Sequence, residues 1–116
     1  MTTSALEDLS SLEARAHDAT SRGADAFARL LRLAEAGDSG QIRRVADFVG
    51  ATYNGRRYRF DPFDLRAVDV GISDDMLCCL DALRWGCADL YRLIPNGEPR
   101  VRAVLRQWGL GDRGDG

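Results

Sequence analysis

Apolar residues recur at three- and four-residue steps along most of this chain, and a glycine closes nearly every run. That punctuation restricts the chain to short helices packed around one core. The spacing predicts a first helix over about 5–21, opened by a capping box of Ser4 and Glu7. Its seam, Ala5, Leu9, Leu12, Ala16 and Ala19, steps like a short heptad and stops at Gly23. Phe27, Leu30, Leu31 and Ala34 mark a second helix that Gly37 ends. After the turn Asp38-Ser39-Gly40, which offers an N-cap, Ile42, Val45, Ala46 and Val49 mark a third, with Asn54-Gly55 as its stop.

The next block is denser in charge and aromatic rings than any other. Tyr58 and Phe60 alternate with Arg57 and Arg59, which predicts a short extended segment. Asp61-Pro62 then restarts helix, with Asp as N-cap and Pro in the first turn, and Gly71 closes that piece. Ser73, Asp74 and Asp75 head a helix whose stripe is Met76, Cys79, Leu80 and Leu83, ended by Gly86. Residues 87–94 keep helical spacing at Cys87, Leu90, Tyr91 and Ile94, while Leu90 to Ile94 also fits a strand beside Tyr58–Phe60. Pro99 opens the last helix, where Val101, Val104, Leu105 and Trp108 face inward and Arg100, Arg102 and Arg106 face out. Gly109-Leu110 has the form of a Schellman ending.

The expected fold is therefore mainly α: a single compact domain of five to six short helices with at most a minimal two-stranded β element. Residues 1–22 are expected as an N-terminal capped helix and possible dimer seam, 23–110 as the helical core, and 111–116 as a disordered tail. A chain of 116 residues is enough for one modest core. No apolar run approaches the length a membrane helix needs, and the acidic start is unlike a secretory signal, so a cytoplasmic protein is expected.

All sixteen basic residues are arginine, as a GC-rich coding sequence would give, and the net charge is −2. The field of the whole chain thus does not advertise nucleic acid, although a local patch still can. The three cysteines, Cys78, Cys79 and Cys87, are an odd number without zinc-knuckle spacing, and read as reduced thiols. His17 is the single histidine and has no motif around it. No metal, cofactor or catalytic group is expected. The aspartates read first as helix caps, and paired carboxylates such as Asp69 and Asp75 are where acid–base chemistry would have to reside. The Gly-rich tail lacks the strand and helix that a phosphate loop requires, and its Arg113-Gly114-Asp115 tripeptide reads as chance.

Arginine beside aromatic residues is the composition of a recognition surface. Arg43, Arg44, Arg56, Arg57, Tyr58 and Arg59 are the candidate interaction surface, and Leu9, Leu12 and Ala16 the candidate homodimer seam. The competing reading of the arginines is a buckle, in which they pair with Asp61, Asp64 and Asp69 and hold the helices together.

The block Asp38-Ser39-Gly40-Gln41-Ile42-Arg43-Arg44-Val45-Ala46-Asp47-Phe48, followed by Tyr53-Asn54-Gly55, Phe60-Asp61-Pro62-Phe63-Asp64-Leu65-Arg66-Ala67-Val68-Asp69 and Asp74-Asp75-Met76-Leu77, carries a resemblance. It resembles a family of small uncharacterised domains encoded by proteobacterial plasmids and integrative conjugative elements, over about residues 26–108. The family implies no assigned activity. Relatives often have cysteine where this chain has Met76, and tend to have histidine near the position of Tyr91, so chemistry based on those groups is not expected here. The arginine–tyrosine surface together with that setting leads to the expectation of a non-enzymatic accessory protein of a bacterial mobile element that binds another protein, in one form an inhibitor of a host defence complex. The alternative is a nucleic-acid-binding accessory factor that uses the same arginines.

Overall fold

The structure, a computed structural model, describes the backbone of residues 2–111 and the side chains of residues 8–111. Four α-helices and two 3-10 turns make up the described chain: α1 (Thr2–Ala36), α2 (Gly40–Tyr53), a 3-10 turn (Pro62–Arg66), α3 (Val70–Trp85), a second 3-10 turn (Leu90–Leu93) and α4 (Gly97–Gln107). The mainly α expectation holds. The helix count differs, because the two helices expected before Gly37 are one unbroken rod, and the boundary placed at residue 22 falls inside it. The Ser4–Glu7 capping box lies outside the described side chains, and residues 112–116 of the expected tail lie outside the described residues.

Gly23 does not end α1 because it is needed where two helices cross. It is buried, and a Cβ there would collide with the Cβ of Ala82 and lie 3.2 Å from the carbonyl oxygen of Cys78. A helical glycine costs about 1 kcal/mol relative to alanine. Close packing of α1 on α3 offsets that cost. The two helices run in opposite directions, since Arg15 of α1 meets Trp85, Gly23 meets Ala82, and Arg29 meets Asp75. Trp85, at the end of α3, has the Arg15 guanidinium 5.4 Å and the Arg84 guanidinium 5.0 Å from its ring centre. Beyond that clasp α1 continues toward its N-terminus, with the side chains of residues 8–15 exposed. A helix of 35 residues is about 52 Å long at 1.5 Å per residue, which accounts for the long dimension of a molecule measuring 54 × 28 × 26 Å.

The core is built by α1, α2, α3 and α4 around Phe27, Leu30, Leu31, Val45, Phe48, Val49, Met76, Val101 and Val104, all fully buried. Each such side chain contributes roughly 1.5–3 kcal/mol relative to exposure. The last helix also finishes the first. Trp108 Nε1 donates to the carbonyl of Ala34 at 3.0 Å, and Arg100 reaches both carboxylate oxygens of Glu35. A helix C-terminus leaves carbonyls without intrahelical partners, and α4 satisfies part of that set for α1.

Several local expectations are met. Ser39 caps α2 by accepting from the Ile42 amide, Asp61 caps the first 3-10 turn by accepting from Phe63, and Gly86 takes the left-handed cap of α3 with φ 68°. At the end of α4 the amide of Leu110 donates to the Leu105 carbonyl, with Gly109 at φ 65°, which is the Schellman pattern.

Three are corrected. First, α3 begins at Val70, so Gly71 lies in its first turn and Asp74 and Asp75 in its second; Gln41 reaches across to Asp69 and fixes the start. Second, the segment expected as extended starts within a turn over residues 55–57, with Tyr58 and Phe60 packed on the core. No strand occurs among the described residues, and residues 90–93, whose spacing fits helix or strand, are a 3-10 turn. Third, Arg100 is folded back on Glu35 instead of joining Arg102 and Arg106 in solvent.

Candidate interaction surface and cleft

Asn54 organises the turn that presents the central arginines. Its backbone carbonyl accepts from the amides of Arg57 and Tyr58, and its side-chain Oδ1 accepts from the amides of Arg56 and Arg57 at 3.1 and 3.3 Å. One residue thus accepts four hydrogen bonds from three amides and folds the chain back against α2. Tyr58 can lie there because Gly50 faces it; a Cβ on Gly50 would come within 3.0 Å of Tyr58 Cβ and 2.9 Å of a Leu105 methyl. Phe60 then anchors the exit edge-on to Phe48, with ring centres 5.1 Å apart.

With its aromatic residues packed inward, this turn leaves Arg56, Arg57 and Arg59 exposed. None of the three forms a salt bridge among the described residues. The aspartates that would make them a buckle are engaged elsewhere. Asp61 caps its 3-10 turn, Asp64 pairs with Arg44 at 3.2 Å, and Asp69 accepts from Gln41. Arg44 is therefore a tie between α2 and the following turn. Arg43 is exposed on α2, ten residues before Tyr53, or roughly 15 Å along the helix axis. The structure so divides the six candidate residues into the Arg56–Arg59 turn and a pair on α2, of which Arg44 is taken by Asp64.

Two residues absent from that candidate set join the turn. Arg102 and Arg106, one helical turn apart on α4, line with Arg57 and Tyr58 an open cleft of about 460 Å³. Leu105 and Leu110 form its apolar wall, and Gly109 and Gly111 part of its rim. No carboxylate is among the described residues that line it. Arg102 is held in place from behind: its Nε donates to the Tyr53 hydroxyl at 3.0 Å, and that hydroxyl donates to Glu98 at 2.8 Å. The Tyr53 hydrogen bond raises the Arg102 pKa further above its ordinary value. Glu98 also lies 3.6 Å from Arg102 NH2. The Arg57 guanidinium lies 5.8 Å from the Tyr58 ring centre. Their i, i+4 spacing put Arg102 and Arg106 on one face, but a contact with the turn some 45 residues earlier has no local signature.

Of the candidate dimer seam, Leu9 and Leu12 are exposed, 57% and 42%, and Ala16 is half-buried where the same stripe enters the α1–α3 crossing. His17 is exposed on α1. Cys79 is buried, its thiol 3.8 Å from the Gly23 carbonyl; Cys78 is half-buried and Cys87 exposed. Among the described residues no three His, Cys, Asp or Glu side chains are grouped to hold a metal ion, and no helix is long and apolar enough to cross a membrane.

Residues 24–109 match a family of unknown function, DUF7673, and the chain belongs to that family. The matched span begins inside α1, so the projecting half of that helix lies outside it. Neither curated proteins nor solved structures give a match.

Proposed function

We propose that this DUF7673 protein is a non-enzymatic binding protein, and that its partner is another protein bearing an acidic surface. The observation that supports this reading most is the state of Arg56, Arg57 and Arg59, exposed and outside the fold's salt bridges while the neighbouring carboxylates serve other partners. Exposed arginine next to tyrosine is the composition of interface anchors. The fold also holds the turn in shape through Asn54, so little ordering cost remains at binding. Arg43 extends the basic surface along α2. The non-enzymatic reading rests on the assignment of the carboxylates to caps and ion pairs, and on the exposure of His17.

The proposed setting is the cytoplasm of a bacterium, as an accessory protein of a mobile element, with inhibition of a host defence complex as its most specific form. Small size and the motifs quoted above support this. A homodimer through the N-terminal helix is a second proposed association. It is supported by Leu9 and Leu12, which continue the packing stripe of α1 past the point where α3 ends.

Affinity capture from the native host, split into nuclease-treated and untreated halves, tests the reading. A protein retained after nuclease and lost with R56A/R57A/R59A is the expected result. Capture that vanishes with nuclease, with affinity falling steeply in salt, would replace it with the nucleic-acid reading.

A further inference from the structure

We infer that the cleft between the Arg57–Tyr58 turn and α4 binds an organic phosphate monoester. This rests on the reading of that turn as a binding surface, and adds a ligand class to it. Three arginines from two distant segments line one cleft, and among the described residues that line it there is no acid. A lone carboxylate is matched by one arginine fork. A phosphate dianion presents three acceptor oxygens and takes several forks at once.

The volume of about 460 Å³ lies in the range of small-molecule sites and is far larger than a phosphate ion requires. The remaining space is walled by Leu105, Leu110 and Tyr58, surfaces suited to a flat or apolar organic body. Arg102 is oriented before any ligand arrives, by the Tyr53 hydroxyl backed by Glu98. Preset donors lose less freedom on binding. Gly111 holds the left-handed backbone, φ 50°, that brings the chain past the Arg57 guanidinium and the Tyr58 hydroxyl.

The test is a titration of the 15N-labelled full chain, read by amide shifts, with four probes: AMP, phenyl phosphate, inorganic phosphate and adenosine. AMP and phenyl phosphate separate a nucleotide from a phosphorylated aromatic side chain as the source of the phosphate. Saturable shifts at Tyr58, Gly109 and Gly111 are expected with at least one of the two esters, and weaker binding with inorganic phosphate and adenosine. R106A, at an exposed residue without a salt bridge among the described residues, should weaken ester binding about tenfold or more. R102Q should do the same, and thermal melts check that both variants fold. R56A/R59A should leave ester binding unchanged, because neither residue lines the cleft.

No saturable shift at millimolar ester, or ester binding unaffected by R106A and R102Q in folded protein, overturns the inference. Equal affinity for inorganic phosphate or for adenosine also overturns it. Partner capture that still depends on Arg56 and Arg59 would then leave the protein-binding reading standing, so the two can fail separately.

Discussion

Arg100 grips Glu35 at two points, Nε to Oε2 at 2.9 Å and NH2 to Oε1 at 2.8 Å, and ties the last helix to the end of the first across 65 residues of chain. The guanidinium holds the Glu35 carboxyl below its ordinary value of 4.5. Both side chains are about one-third exposed, and solvent screening reduces the effect. R100A should therefore cost about 1 kcal/mol at neutral pH. A carboxyl with a lowered folded-state pKa stabilises the fold above its unfolded value, and that contribution disappears as pH falls through the lower folded value. The difference in melting temperature between wild type and R100A should be full at pH 7 and shrink steadily below about pH 4.5. A difference independent of pH would remove Glu35 from the explanation.

Gly23 makes the α1–α3 crossing possible. G23A gains up to about 1 kcal/mol of helix propensity, but its methyl group would meet the Cβ of Ala82, so one helix must shift. Overpacking of this kind typically costs 1–3 kcal/mol. Urea unfolding of G23A should show a net loss of about 1–2 kcal/mol. A more stable variant would mean that the helices separate there at no cost.

The same glycine shows where the sequence was readable and where it was not. A glycine at the end of one apolar stripe and the start of another has the form of a stop, and Gly37, Gly86 and Gly109 do stand just past helix ends. Gly23 differs because of a contact 59 residues away, which no local pattern carries. Ser39, Asp61 and the Schellman turn at Gly109 were legible because each is satisfied within a few residues. For the same reason the cleft was only half legible. Arg57 and Tyr58 stood out by composition, whereas Arg102 and Arg106 acquire meaning through the packing of α4 against Tyr53 and Tyr58. The alternation of Tyr58 and Phe60 told which rings pack on the core, but not the backbone, because an alternating segment becomes a strand only where it has an edge to pair with.

The three thiols should differ in reactivity by exposure. Burial raises the Cys79 pKa far above its ordinary value and keeps it a neutral thiol, while Cys87 faces solvent. Iodoacetamide labelling of native protein, mapped by mass spectrometry, should modify Cys87 first, Cys78 more slowly and Cys79 only on unfolding. Early labelling of Cys79 would show that the α1–α3 seam opens in the native state.

If Leu9 and Leu12 pair with a second copy, L9E/L12E should convert a dimer to a monomer in sedimentation velocity while leaving the helical core folded. Their exposure of 57% and 42% makes a large stability loss unexpected. A wild-type monomer at all concentrations tested would end the dimer proposal.

The account turns on the claim that Arg56, Arg57 and Arg59 serve a ligand and not the fold, and the thermal melt of R56A/R57A/R59A tests this most directly. Exposed substitutions away from structural ties usually stay within about 0.5 kcal/mol each. The three together should therefore stay within about 1.5 kcal/mol, and the account predicts a cooperative transition within about 6 °C of wild type. A fall well beyond that, of several times the R100A effect, would show that these arginines buckle the helices together, and would take away the observation on which the binding surface rests.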